Sequence, residues 1–252
     1  MKNAQRIISL VPSQTELLYY LGLDEEIIGI TKFCVHPSAW FKTKTRIGGT
    51  KNINMEKIIS LKPDLVIANK EENVKEQIEE LEKFAQVYVS EVSNLDDAKN
   101  MIAEIGKLVR KEAKAELLVK EIEERFLQLD AINQNKIPTA YFIWRKPYMT
   151  AGGDTFIQDM MHRCGFKNVF ENELRYPEIN IKQLKEHNCK ILLLSSEPFP
   201  FKEKHIYELQ PFLPYTKIML VDGEMFSWYG SRLLLAADYF KQLINRIRNQ
   251  LL

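Results

Sequence analysis

Two stretches of the chain repeat one hydrophobic pattern without a gap. Ile53-Asn54-Met55 opens a run that ends in Asp64-Leu65-Val66-Ile67-Ala68-Asn69-Lys70-Glu71. Ile179-Asn180-Ile181 opens a run of equal length that ends in Lys190-Ile191-Leu192-Leu193-Leu194-Ser195-Ser196-Glu197. Asn54 and Asn180 stand 126 residues apart, half of the 252-residue chain, and so do Glu71 and Glu197. Each copy predicts an Asn-capped short helix, a turn, a strand apolar at every position and a polar loop. A strand apolar on both faces belongs inside a parallel sheet. The loop at its C-terminal end is where open α/β sheets bind ligands.

The pattern on either side of the repeats completes two α/β lobes. In the first, residues 6–10 predict a strand, the spacing Ser13-Gln14-Thr15-Glu16 a capped helix that Gly22 ends, and residues 27–31 a second strand. Residues 32–52 form a long loop, of a length that is usually functional. Asn73-Val74-Lys75-Glu76 reads as another capping box, and residues 87–89 as a closing strand. Between residues 94 and 132 the apolar positions Met101, Ile105, Leu108, Ala115, Leu118, Ile122, Phe126 and Leu129 keep helical spacing. No proline occurs between Pro63 and Pro138, and Gly106 is the one glycine in that span. The spacing predicts one rigid helix of roughly 50 Å, with a bent helix or two shorter ones as the alternative. The second lobe follows with a strand over residues 139–144, a helix after Gly152-Gly153-Asp154-Thr155 ending near Cys164-Gly165, and the second repeat. A helix over 202–210, a strand over 218–221 and a C-terminal helix from about Ser231 complete it. The reading is therefore α/β: two Rossmann-like lobes with mainly parallel sheets, joined by one long helix, with a ligand cleft between the lobes. The domains are 1–93, the bridging helix 94–132, and 133–252.

Composition narrows the function classes. A net charge of +1 gives no electrostatic case for nucleic acid or an anionic membrane. Three cysteines, Cys34, Cys164 and Cys189, are an odd count without metal-site spacing. No apolar run reaches the roughly 18 residues that span a bilayer, and the N-terminus has no signal-peptide apolar region. The expectation from this sequence is a chain that stays where it was made, or one whose signal has been cut away.

The loops after the strands are rich in rings and charges. Trp144, Arg145, Lys146 and Tyr148 follow one strand, Ser195, Ser196, Glu197, Phe199 and Phe201 the next, and Asp222, Glu224, Phe226, Trp228 and Tyr229 the last. Such rings supply a rigid wall for a large, partly apolar ligand, while Arg and Lys meet its anionic groups. Core packing is the plainer role for any single ring. Cys34 and His36 lie close enough to join at a metal, but without a third ligand of clear spacing a surface histidine is the simpler reading. Gly48-Gly49 and Gly152-Gly153 fit turns better than any phosphate-binding fingerprint. No Gly-x-Ser-x-Gly elbow or His-Glu-x-x-His helix occurs, so no catalytic residue and no metal site is assigned.

The segments RIISLVPSQTELLYYLGLDEEIIGIT, INMEKIISLKPDLVIANKEEN and GGDTFIQDMMHRCGFKNVF together resemble the helical-backbone substrate-binding proteins of ABC importers. That family serves cobalamin, haem, iron-siderophores and metals, and the similarity is greatest to its cobalamin binders. The resemblance implies two α/β lobes joined by a long helix, no enzymatic activity and no intrinsic cofactor. Cobalamin or another metal chelate (siderophore, haem) would be the transported ligand. It implies a monomer that does not span the membrane, lies in the periplasm or cell envelope, and partners an ABC permease and its ATPase. The ligand residues it suggests are Phe33, His36, Asn69 and Glu224. With the loop rings and Arg145, the expected site is walled by Phe33 and His36 on one side and by Trp144, Tyr148, Phe226 and Trp228 on the other. Arg145 would pair with an anionic group of the ligand, and Glu224 would accept hydrogen bonds. One surface glutamate per lobe is expected to meet permease arginines: Glu71, Glu72 or Glu76 in the first lobe, Glu197 or Glu203 in the second. The alternatives from other classes are a cytoplasmic two-lobe enzyme or metallochaperone using Cys34, His36 and Arg145, and a signalling module that has lost transport.

Overall fold

The computed structural model describes residues 4–132 and 136–251. The start of the chain and residues 133 and 252, the expected bounds of the second lobe, lie outside the described residues. The chain divides into two compact units. Unit 1 holds Met1–Val92, Asp96–Glu121 and Trp228–Leu233, and unit 2 holds Ser93–Leu95, Ile122–Ser227 and Leu234–Leu252.

Unit 1 is built on β1 (Ile7–Ser9), α1 (Pro12–Tyr20), β2 (Ile27–Ile30), α2 (Ser38–Thr43), β3 (Thr45–Arg46), α3 (Met55–Ser60), β4 (Leu65–Asn69), α4 (Lys75–Leu81) and β5 (Gln86–Ser90). The sheet order is β3-β2-β1-β4-β5, and every pairing is parallel. That order reverses direction around β1, which makes a topological switch point at the C-terminal edge of the sheet. Ile8, Val66 and Ala68 meet Leu10, Ile47, Ile58 and Leu81 in one fully buried cluster. The Asn54 carboxamide caps α3 by accepting from Lys57 N at 2.9 Å.

Three local readings need correction here. The helix α1 begins at Pro12 with Val11 as its cap and no side-chain capping bond, because proline at the first helical position replaces one orphan N–H outright. Asn73 is not a helix cap either: α4 starts after Val74 without a side-chain cap. The Asn73 amide instead closes the loop, accepting from Asn69 N at 2.9 Å and donating to Thr50 O at 3.0 Å. Residues 32–52 are not structureless. Trp40 is buried, donates to Asp24 Oδ1 at 2.8 Å and sits edge-on to Tyr19 at 5.3 Å, and this anchor holds α2 and β3 in place.

The span 94–132 is helical in two pieces, α5 (Leu95–Leu108) and α6 (Glu112–Ile132). Arg110 adopts φ 53°, Lys111 N reaches Gly106 O at 2.8 Å, and Arg110 N reaches Lys107 O at 3.3 Å. This is the double bond of a Schellman termination. It is made here without the glycine that usually announces it, which is why the apolar period runs through the break. Gly106 serves another purpose: a Cβ there would come within 2.5 Å of the Ala115 Cβ, so its bare Cα lets α5 and α6 pack in contact.

Unit 2 continues with β6 (Ile137–Trp144), β7 (Tyr148–Thr150), α7 (Phe156–Arg163), β8 (Phe166–Asn168), β9 (Glu178–Ile179), α8 (Ile181–Glu186), β10 (Ile191–Ser195), α9 (Glu203–Leu209), β11 (Lys217–Val221), α10 (Gly223–Ser227) and α11 (Leu233–Leu251). Its sheet runs β11-β10-β6-β7-β9, with β8 also on β6. The pairings of β10 with β6 and β11, and of β8 with β6, are parallel. Those of β7 with β6 and β9 are antiparallel. The sheet is therefore mixed, because the chain turns back after Trp144 in a hairpin at Lys146, whose φ is 65°. The repeat is reproduced residue for residue: β10 lies 126 positions after β4, and all five residues of each strand are buried. Asn180 caps α8 by accepting from Gln183 N at 3.2 Å, and the Gln183 side chain accepts in return from Asn180 N at 2.8 Å.

Candidate ligand site

In unit 1 the ligand candidates lie at the C-terminal ends of β2 and β4, and a buried polar network fixes the β2 loop. Thr15 Oγ1 bonds Ser9 Oγ at 2.7 Å and Cys34 Sγ at 3.1 Å, and Thr31 Oγ1 lies 3.2 Å from the same sulfur. Burial pushes the Cys34 thiol up, so it stays protonated and ties the β2 loop to α1. Outward from it, Phe33 is 50 % exposed, with the Lys32 ammonium 5.1 Å from its ring centre. His36 is half-buried and meets the edge of Trp228 at 5.6 Å.

Trp228 does not stand opposite His36 as the sequence reading placed it. The segment Trp228–Leu233 belongs to unit 1, where Trp228 is 7 % exposed with the Arg232 guanidinium 4.7 Å over its ring. Arg232 in turn makes a two-pronged bond to Glu16 on α1, at 2.9 and 2.7 Å. This Glu16–Arg232–Trp228–His36 series carries no sequence signal, since Glu16 and Arg232 lie 216 residues apart.

Asn69 is 1 % exposed and spent on the chain itself. Its amide nitrogen donates to Ser90 O at 3.0 Å and Ser90 Oγ at 3.1 Å, while its oxygen accepts from Glu71 N at 2.9 Å and Glu72 N at 3.1 Å. It shapes the loop that carries Glu71 and Glu72, both half-buried, rather than facing a ligand.

In unit 2 the loops after β6 and β10 build an aromatic platform. Trp144 is 41 % exposed and meets Phe199 edge-on at 5.9 Å. Phe199 packs on Phe201 at 4.8 Å, and Tyr148 stacks on Phe142 at 5.1 Å. Arg145 is held by Glu208 at 2.7 Å, and its buried Nε has no hydrogen-bond partner among the described residues. Phe226 is 0 % exposed and packs on Phe240 at 4.7 Å and Tyr141 at 5.0 Å. Its ring is core and supports the wall rather than forming it. Glu224 sits half-buried in the first turn of α10, its N–H donating to Asp222 Oδ1 at 3.1 Å.

Ser195, the counterpart of Asn69, organises its loop in the same way. Its hydroxyl accepts from Tyr141 OH at 3.0 Å and donates to Glu197 O at 2.6 Å. The Glu197 carboxylate accepts from Ser227 Oγ at 2.6 Å. Glu76 and Glu203 are different: both are exposed and lie in the first turn of α4 and α9, the helices that follow the two equivalent loops. The N-terminal end of a helix favours a carboxylate there.

A family model described as periplasmic binding protein matches residues 7–213. The chain belongs to the periplasmic binding protein family. Among the relatives of this binding protein, the vitamin B12-binding protein of Vibrio vulnificus is 31 % identical over 71 % of this chain and 67 % of its own length. The solved periplasmic vitamin B12-binding protein of Vibrio cholerae shares its fold, with a TM-score of 0.83 over 97 % of this chain and 98 % of that one, at 21 % identity. A possible iron-binding, periplasmic solute-binding protein of Staphylococcus epidermidis superposes with a TM-score of 0.80 at 27 % identity, covering 98 % and 99 % of the two chains. No helix among the described residues is long and apolar enough to cross a membrane.

Proposed function

We propose that this binding protein captures cobalamin or a related metal chelate, such as haem or a ferric siderophore, and delivers it to an ABC permease in the cell envelope. The observation that carries this reading is the pair of exposed aromatic rings at the C-terminal ends of the two sheets, Phe33 in unit 1 and Trp144 in unit 2. Fixed rings share those loops: His36 on Trp228 in unit 1, and Phe199, on which Trp144 rests, against Phe201 in unit 2. Fixed rings bury the broad face of a macrocycle at little entropic cost. Arg145 and Glu224 supply the polar contacts, Arg145 to an anionic group and Glu224 to amides or hydroxyls. The names of the relatives favour the same ligand class.

Delivery falls to the exposed first-turn glutamates Glu76 and Glu203, with Glu71, Glu72 and Glu197 in the loops that precede those helices. The carboxylates meet permease arginines, and charge-assisted pairs of that kind give specificity and fast encounter. Calorimetric titration with cobalamin, haem and ferric siderophores tests the reading. One of them binds reversibly at one equivalent without turnover; heats indistinguishable from dilution for all three refute it.

A further inference from the structure

A cavity of about 280 Å³ opens at the opposite end of the unit 2 sheet, where residues 189–190 lead into β10 and residue 216 into β11. Its floor is apolar, made by buried Leu184 and Leu213 with Pro214. Among the described residues Lys185 and Lys190 line it and no carboxylate does. Both lysines are exposed, and their ammonium groups have no hydrogen-bond or ion-pair partner among the described residues, while the acid nearest in sequence, Glu186, is engaged with Lys182 at 3.4 Å. Tyr215 stands on the rim 92 % exposed, a large ring that gains nothing from the free protein.

The internal repeat supplies a control. Unit 1 has a cavity of about 270 Å³ at the same position, where Ile58, Ile59, Lys62 and Pro63 replace Leu184, Lys185, Asn188 and Cys189 at the 126-residue offset. The repeated scaffold thus makes the hollow in both units, and unit 2 lines it with two lysines, Lys185 and Lys190, where unit 1 has Lys62 alone. Its volume exceeds the about 150 Å³ that accommodates a benzene ring.

We propose that the unit 2 cavity is a second binding site, for a small amphiphilic carboxylate whose apolar body fills the hollow over Leu184 and Leu213 and whose carboxylate lies between Lys185 and Lys190. Tyr215 closes over the apolar body. The site is separate from the loops that hold the transported ligand, which leave the other end of the same strands.

The test compares 3-phenylpropionate with the neutral 3-phenylpropan-1-ol on the full chain, read from the methyl resonances of Leu184 and Leu213. The acid shifts those methyls and binds about fivefold more tightly than the alcohol, the size set by two exposed charges. Lys185→Gln with Lys190→Gln, both surface changes, abolishes that preference and leaves alcohol binding in place. Equal affinity for the two compounds, or no methyl shift up to the solubility limit of the acid, overturns the proposal. Sedimentation with anionic phospholipid vesicles without a response at those methyls overturns it too, and assigns the lysines to a membrane surface.

Discussion

Replacing Glu16 with glutamine tests whether the long-range pair with Arg232 fixes the Trp228 segment. The Arg232 side chain is 8 % exposed and that of Glu16 19 %, so the charges are largely removed from water. Breaking a buried pair by removing one partner costs about 3–5 kcal/mol, because the remaining charge is left desolvated. Glutamine keeps one acceptor oxygen and the Glu16 edge reaches solvent, which places Glu16→Gln at the low end, about 3 kcal/mol. For a chain of this size that corresponds to a fall in Tm of about 6–12 °C. Replacing both residues with methionine removes the stranded charge along with the pair, and such double replacement is often close to neutral. Here it still forfeits the stacking of the guanidinium on Trp228, about 1–2 kcal/mol. Glu16→Met with Arg232→Met is therefore more stable than Glu16→Gln alone. Urea unfolding followed by circular dichroism and by tryptophan fluorescence measures all three proteins. A cost below about 1 kcal/mol for Glu16→Gln, or a double variant less stable than the single one, refutes the argument.

Trp144→Ala weakens ligand binding by about 2 kcal/mol while the Tm holds, whereas Phe226→Ala costs about 3–4 kcal/mol of stability through the cavity it leaves; calorimetry and thermal unfolding separate the two. Charge reversal at Glu76 and Glu203 together abolishes uptake in cells and leaves calorimetric affinity unchanged. Helix propensity alone makes Gly106→Ala stabilising by about 1 kcal/mol, but the approach to Ala115 makes it destabilising by about 1–3 kcal/mol, so the sign read in urea unfolding decides. Burial lowers the His205 pKa below its ordinary value of 6.5, with Arg145 and Lys204 acting in the same direction against Glu208. The folded state therefore binds less proton than the unfolded one. The stability from this group is full above about pH 6.5 and falls as the pH drops toward the folded value; His205→Gln removes that slope from a pH series of unfolding curves.

The parts of the fold that were legible in the sequence are those whose signals are local. An asparagine immediately before a short amphipathic turn caps α3 and α8 because its side chain reaches only three residues ahead. Four consecutive apolar residues and a short polar one make β4 and β10 because no other arrangement buries both faces of so short a run. The break after α5 was not legible. Its termination rests on backbone bonds from Arg110 and Lys111, and an arginine in the left-handed region leaves no trace in an apolar period. The hairpin that mixes the second sheet turns on Lys146 in the same region. In both places a long cation occupies a conformation usually marked by glycine.

The candidate site divides along the same line. Exposed rings after strands, such as Phe33 and Trp144, follow from position alone, since an aromatic residue on a loop past the end of a buried strand has little core to enter. Asn69 and Phe226 occupy equally suggestive positions and are turned inward, Asn69 by the loop amides of Glu71 and Glu72 that donate to its oxygen and Phe226 by the space around Phe240 and Tyr141. The comparison of Asn69 with Ser195 gives the reason. At the last residue of each repeated strand a short polar side chain accepts from the backbone of the loop that bears Glu71 or Glu197. The repeat thus conserves a device for holding the loop, not a contact with ligand. Phe33 and His36 in one unit and Trp144 and Arg145 in the other lie outside the repeated runs, where ligand chemistry has room to be specified.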